Sequence, residues 1–537
     1  MAVAAVGSNS SAVAEPERAK ERWTPVRVFW WAFVGFLVLG IGWGLAVPYD
    51  GFADEARHAA RAYSAAGGQI VFHGDLVTVD TQAEGGPAAG TPLIKVPRSL
   101  APNAPSGSAC FQQDPGLAAN CSPAAGRAQD EHTIVEIPSG AGFYNPIYYV
   151  IVGQPLRLWP DSTGIYLARL VSDAMVSALF AAAFAMTAMA RRGRRMLAGL
   201  LVALTPVAIN LAPAINPAGL EIGGAAVLWT ALVLLVDGRQ RSAALVRLAA
   251  LGAAIVATVR FGGLLWLVLI FGVAALGMDR DRLRRLTRLP TVRRWGTFVA
   301  VAIVASALWT LWQDPAGDAV STGGDRSLAY KVFAALSVDT WDRGEYLVKG
   351  MVGLVGFGET SPPAIVFPVW FCAFGALLFT AMVLTRKLDR IRLGVLVIGT
   401  FAVLIASDVG PISQGWYLSQ GRYGLPAILG VPILGAYLLV ERGVFSEAHL
   451  RTLTRAYVLL LLPLQLLTFY ASMLRYQQGI KNGNPLPVQP WNPFGGTWLP
   501  ASGPELPLAA AVAGLVVLGW LVWRMTPPQS EPALANL

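Results

Sequence analysis

"VFWWAFVGFLVLGIGWGLAV", residues 28 to 47, carries no charged side chain, and wound at 1.5 Å per residue it is long enough to cross a hydrocarbon layer of about 30 Å. Similar runs recur near 163–189, 196–213, 218–236, 246–259, 262–278, 296–313, 364–385, 392–408, 423–440, 456–473 and 506–523. In lipid no water satisfies a backbone N–H or C=O, so spanning segments of this length must be helices. The pattern predicts an all-α polytopic membrane protein with about twelve transmembrane helices, one per run. A chain that is 55% hydrophobic and only 14% charged agrees. The first run exceeds the apolar stretch of a secretory leader and is read as a retained helix.

The excess of 41 Lys and Arg over 32 Asp and Glu is spread unevenly. "RRGRR" at 191–195, "DRDRLRRLTRLPTVRR" at 279–294 and "RKLDRIR" at 386–392 all fall on the side of the N-terminus. By the positive-inside rule this predicts a multi-pass plasma-membrane protein with both termini cytoplasmic. The basic balance then reflects topology and contact with anionic membrane lipids. Nucleic acid is excluded as a partner, since no soluble basic face with interleaved aromatics occurs.

Residues 1–27 read as a disordered cytoplasmic N-terminus. A core follows over 28–473, with a long first extracytoplasmic loop at 48–162 and a further outer segment at 314–363. Residues 474–537 supply an outer loop, the last transmembrane helix and a short cytoplasmic tail. The first loop closes on "AGFYNPIYYVIVGQPLRLWP", whose aromatics suit the headgroup region. Cys110 and Cys121 lie in that loop, where an oxidising compartment allows a local disulfide; two free thiols are the alternative.

Chemistry concentrates just beyond the first run, in "YDGFADEARHAARAY". On a helix, Asp54, His58 and Arg61 fall on one face with Glu55 beside them. Such a group can take a proton from a hydroxyl or, through Asp54 and Glu55, hold a divalent cation such as Mg or Mn. The competing reading is an amphipathic surface helix whose charges only solvate one face, Asp50 among them. Arg422 in "SQGRYGLPAIL" begins a span at its outer end, where helix dipole and guanidinium together favour a phosphate, or where the side chain simply snorkels. Arg260 in "ATVRFGGLL" admits the same two readings, and Glu221 in "NPAGLEIGG" sits about one turn inside a span, where ionisable groups are costly. His132 beside Glu131 is a weak second ligand pair, and Trp416 and Tyr417 are candidate stacking surfaces for sugar or prenyl chain. No nucleotide-binding motif, zinc spacing or nucleophile elbow occurs.

"ADEARHAARAY", "LTPVAINLAPAINPAGLEIGGAAVLW" and "SQGRYGLPAIL" together resemble the bacterial membrane proteins filed as domain of unknown function 2142. Those are similar in layout to C-type-fold glycosyltransferases, which take sugars from polyprenyl-phosphate carriers at the outer face. The resemblance implies an inverting transferase with a polyprenyl-phosphate sugar donor and a glycan or lipid acceptor. Asp54 would be general base, with Glu55 and His58 in support, and Arg422, Arg260 and Arg61 would hold the donor phosphate beside Tyr423 and Glu221. A flippase of a lipid-linked saccharide and a non-catalytic envelope-assembly protein are the alternatives.

Overall fold

The computed structural model describes residues 23–71, 76–79, 88–103, 108–112, 114–125, 133–190, 192–240, 242–313, 326–414, 417–480 and 492–526. The chain is predominantly helical. Helix α1 (Pro25–Ala46) is followed by a shorter helix α2 (Glu55–Ala66) and then α3 (Ser162–Met189), α4 (Pro217–Val236), α5 (Ala243–Val259), α6 (Gly263–Leu276) and α7 (Arg280–Arg288). Next come α8 (Pro290–Gln313), a short helix α9 (Gly344–Val352), α10 (Val366–Leu384) and α11 (Lys387–Asp408). The span α12 (Gly421–Glu441), α13 (Glu447–Gln478) and α14 (Glu505–Met525) complete the series.

Nine helices among the described residues are long and apolar enough to span a membrane, or ten if the bent pair α6–α7 counts as one. The expectation of about twelve is therefore not met by straight helices. The 196–213 run is broken into Leu197–Ala203 and Pro206–Asn210, because Pro206 cannot continue a preceding helix and Thr205 caps a new one. The 246–259 run is the 17-residue α5, and 262–278 is the 14-residue α6, which turns by 117° into α7.

Helices α4 and α12 are almost wholly enclosed, whereas α8 is 11% buried and lies at the periphery. Helix α1 packs against both α3 and α14. Small residues allow the second contact: a Cβ on Gly514 would lie 2.6 Å from the Leu39 nitrogen and 2.7 Å from the Gly35 carbonyl. Where lipid removes any hydrophobic drive between helices, such close backbone approach supplies the packing.

The long first loop adds what apolar counting could not show, an antiparallel three-stranded sheet of β1 (Leu76–Val79), β2 (Ala88–Pro97) and β3 (Ile134–Pro138) in that order. The centre of β2 pairs Ile94 with Ile137. Ile94, Val96 and Ile137 are buried with Ala60 in a small core of their own, which seats the sheet on α2. Cys110 and Cys121 form a disulfide with Cα atoms 6.0 Å apart. Fully buried Arg475, at the end of α13, donates into that loop, to the carbonyls of Phe111, Leu117 and Asp114 at 2.5, 2.8 and 3.1 Å. One guanidinium so fastens the disulfide loop to the helical bundle.

Candidate functional site

Between α1 and α2 the chain reverses over residues 47–54 and must satisfy the carbonyls left open at the end of α1. Arg169 of α3 does this: its Nη1 donates to Gly44 O at 2.7 Å and Val47 O at 2.8 Å, and its Nη2 to Pro48 O at 2.8 Å. The same guanidinium holds both oxygens of Glu55, at 2.7 and 2.6 Å. Arg169 is 2% exposed and Glu55 is fully buried, a setting in which charges persist only when paired and fully bonded. Arg169 thereby ties the last turn of one helix to the first turn of the next.

Three further parts of the chain pin the reversal. Asn216, the N-cap of α4, donates to Ala53 O at 2.8 Å, Tyr476 to Gly51 O at 2.6 Å, and Gln112 to Asp50 O at 3.0 Å. The Asp50 amide donates to Glu55 Oε2 at 3.0 Å. Within this frame Asp50 and Asp54 adopt φ of +63° and +59°, a left-handed conformation that costs an L-residue roughly 1–2 kcal/mol. Asp54 therefore stands at the N-cap of α2 without capping it. Its carboxylate, 25% exposed, turns instead to Arg422, with Oδ2 2.8 Å from Nη2.

Arg422 belongs to the helical turn Gly421–Gly424 that opens α12. A Cβ on Gly421 would stand 2.1 Å from Leu347 O and 2.7 Å from the Gly350 carbonyl carbon, so only glycine lets this turn rest on α9. The residues ahead of it are clamped by Asp408, whose Oδ1 accepts from the amides of Leu418 and Ser419 at 2.5 and 2.8 Å. Arg343 bridges Asp408, Asp339 and the Ser419 carbonyl and lies 4.2 Å from the centre of the Tyr417 ring.

Arg260, just beyond α5, completes the cluster. Its guanidinium lies 4.0 Å above the ring of Tyr423 and 3.6 Å from Glu221 Oε2. Glu221 is 2% exposed and lies just past the first turn of α4. Asp54 feels several cations at once. Burial pushes its carboxyl upward, but the guanidiniums of Arg422, Arg57 and Arg260 together bring it below the ordinary carboxylate range. The arrangement is one ionised carboxylate facing two guanidiniums with an aromatic ring between them, able to hold an anion beside a proton acceptor.

The structure brings Asp54, Arg422, Arg260, Tyr423 and Glu221 together and separates the others. The helical face expected for Asp54, His58 and Arg61 does not form, since Asp54 precedes the helix in a left-handed conformation. Arg61 is fully buried and donates to Gln69 O, Ile70 O and Tyr144 O at 3.1, 3.0 and 2.9 Å; it caps backbone, which corrects its reading as a phosphate ligand. His58 pairs through Nδ1 with the Tyr149 hydroxyl at 2.8 Å. Burial, aided by Arg260, Arg422 and Arg57, lowers its pKa to about 3 despite the pull of Asp54, so it stands neutral beside the cluster. Asp50, read as a solvated group, is 2% exposed.

Glu55 is likewise corrected as a catalytic and metal-binding residue, because both its oxygens are taken by Arg169. With Asp54 held by Arg422, the two carboxylates face different arginines and do not fit a shared Mg or Mn ion. No group of three or more His, Cys, Asp or Glu with ligating geometry occurs among the described residues. His132, Glu131 and Trp416 lie outside the described residues.

Sequence reasoning passed over Arg169, Tyr144, Tyr149 and Asn216. The two tyrosines lie in the stretch read as lying in the headgroup layer, yet Tyr149 is fully buried. Arg169 left a usable signal, a single cation inside the apolar run "IYLARLVSDAMV", where a charge without function or partner is rare.

No curated protein matches the chain. A solved structure, the crystal structure of ArnT from Cupriavidus metallidurans bound to undecaprenyl phosphate, is similar at 14% identity and a TM-score of 0.37, over 93% of this chain and 76% of that one. The family described as "Predicted membrane protein (DUF2142)" matches residues 37–431. The chain belongs to this DUF2142 family of membrane proteins.

Proposed function

We propose that the protein is a glycosyltransferase of the cell envelope, moving a sugar with inversion from a polyprenyl-phosphate carrier to a glycan or lipid acceptor at the outer face of the plasma membrane. The observation that carries this reading is the isolation of Asp54. Its neighbours in the turn are anchored from four directions, while its own carboxylate stays partly exposed between Arg422 and Arg260.

In this reaction an acceptor hydroxyl oxygen bonds to the anomeric carbon, the bond from that carbon to phosphate oxygen breaks, and polyprenyl phosphate leaves with the electron pair. Asp54 takes the hydroxyl proton. Arg422 and Arg260 neutralise the leaving phosphate, whose charge grows in the transition state. Donor phosphate competes with Asp54 for Arg422, so binding of donor loosens the ion pair and raises the proton affinity of the base. Glu55 and Arg169 hold the turn, and Tyr423 keeps Arg260 in place.

The test is turnover of purified protein with a panel of polyprenyl-phosphate sugars, scoring release of polyprenyl phosphate, alongside Asp54→Asn. Loss of a general base costs about two to four orders of magnitude in rate, with donor binding and thermal stability retained. Full turnover by Asp54→Asn, or carrier movement without release in the unaltered protein, overturns the reading; the latter outcome would be that of a flippase.

A further inference from the structure

At the end of the bundle opposite Asp54 lies a second charged feature that the proposed transfer does not use. Helix α4 runs from Glu221, beside Arg260, to Leu235 and Val236 at its far end, roughly 20 Å away at 1.5 Å per residue. There the chain turns at Gly238 and Arg239, and Arg239 has φ +53°, a backbone strain that fixes where its side chain leaves the turn. The bend of 117° after α6 lays α7 across this end instead of letting it continue as a span.

The two elements enclose a cavity of about 490 Å³ lined by Leu235, Arg239, Gln240, Asp279, Arg282, Arg285, Leu286, Arg288 and Leu289. Its charges are unequal. Asp279 is committed to the α7 N-terminus, accepting from the Arg282 amide at 2.6 Å, and Arg282 donates back to the carbonyls of Leu235 and Val236 that close α4. Nearby Asp237 is held by both Nη atoms of Arg392, at 2.8 and 3.0 Å. Arg239, Arg285 and Arg288 are exposed, and no carboxylate among the described residues pairs with them. Three guanidiniums thus stand around a floor of Leu235, Leu286 and Leu289.

We propose that this cavity binds the phosphodiester of an anionic membrane phospholipid. A phosphate diester matches guanidinium geometry, and the leucine floor accepts the first carbons of an acyl chain. Helix α7, with Leu283 and Leu286 on one side, Leu289 just beyond its end and arginines elsewhere, has the composition of a helix lying in the membrane interface. A basic recess between helices at that depth is a lipid headgroup site in chemical terms. Inorganic phosphate shares the charge but lacks the chain.

The experiment uses full-length protein in mild detergent, titrated with phosphatidylglycerol and read by native mass spectrometry. Arg285→Gln/Arg288→Gln is compared with Arg280→Gln/Arg284→Gln, which removes the same charge from the same helix but from residues that do not line the cavity. The expected result is one retained phosphatidylglycerol, bound roughly 25-fold more weakly by the first pair of substitutions and within about twofold of the unaltered protein by the second. All four arginines are exposed, and size-exclusion profiles check that each variant is folded. Equal weakening by both pairs would mean a diffuse basic face and overturn the site. Binding of inorganic phosphate as tight as that of the lipid would mean a soluble-anion pocket and overturn the lipid assignment.

Discussion

Arg422 and Asp54, 368 positions apart in the chain, meet with Nη2 2.8 Å from Oδ2. Arg422→Ala removes the charge that the proposed donor phosphate must find and is expected to weaken donor binding by about tenfold or more, the effect of losing one charge-assisted hydrogen bond. Arg422→Lys should recover only part of this, because an ammonium cannot offer two parallel donors. Donor titration of the three proteins checks it; a lysine as good as arginine would restore the snorkelling explanation.

Gly421→Ala tests the same residue without touching its charge. The added methyl collides with Leu347 O, so the turn must move and Arg422 with it. Donor binding should fall toward that of Arg422→Ala while the protein still extracts and runs as a single species. Unchanged binding would show that the seat of this turn on α9 is unimportant.

Glu55→Gln is expected to act on folding. It leaves the buried Arg169 guanidinium uncompensated, a class of change that costs roughly 3–5 kcal/mol. The apparent melting midpoint in detergent should drop well below that of Asp54→Asn, which loses only a partly exposed ion pair. A normal midpoint with abolished turnover would exchange the roles of the two acids.

The neighbouring turn should give stability a pH dependence through Asp50, whose pKa rises to about 8 through burial and, less, through Glu55, against the Ala56 amide, Arg57 and Gln112. Unfolded, the same carboxyl titrates near 4. Between those values the folded protein holds a proton that the unfolded chain has lost, so stability falls as pH rises from about 4 to about 8 and levels off above. Asp50→Asn should flatten that slope, as thermal melts at pH 5, 6.5 and 8 would reveal. Equal slopes in both proteins would place the titration elsewhere.

Orientation follows from the basic clusters. With Cys372 replaced by Ala, cysteines at Pro102 and Asp342 should react with an impermeant thiol reagent on intact cells, and one at Arg284 should not. The reverse pattern would invert the topology.

The spans were legible because twenty uncharged residues in a row admit few structures. Charges at span ends were legible too: Asp54, Arg422, Arg260 and Glu221 stand out against apolar surroundings, and the structure gathers them. The failures share a cause. A helical wheel assumes regular φ, which Asp54 breaks, and it shows which side chains share a face without showing what waits opposite. The carbonyls that absorb Arg61 and the guanidinium that absorbs Glu55 come from distant segments, and spacing within fifteen residues holds no record of them. The breaks at Pro206 and after α6 were visible as residues but not as geometry, since proline and glycine are common in membrane helices.

The anchors of the Asp54 turn come late in the chain. Gln112, Arg169, Asn216 and Tyr476 follow it by up to 425 positions, the separation between Gly51 and Tyr476. A ribosome that has released α1 and α2 has made the acid but none of the groups that bend it into place, and Arg422 and Tyr476 are made last of all. Contacts of such long sequence separation form last, so the cell cannot possess the assembled site before α13 is inserted. Any truncation that removes α13 should leave the helices ahead of it in the membrane with the Asp54 turn relaxed out of its left-handed conformation, which makes the site a check that synthesis has passed α13.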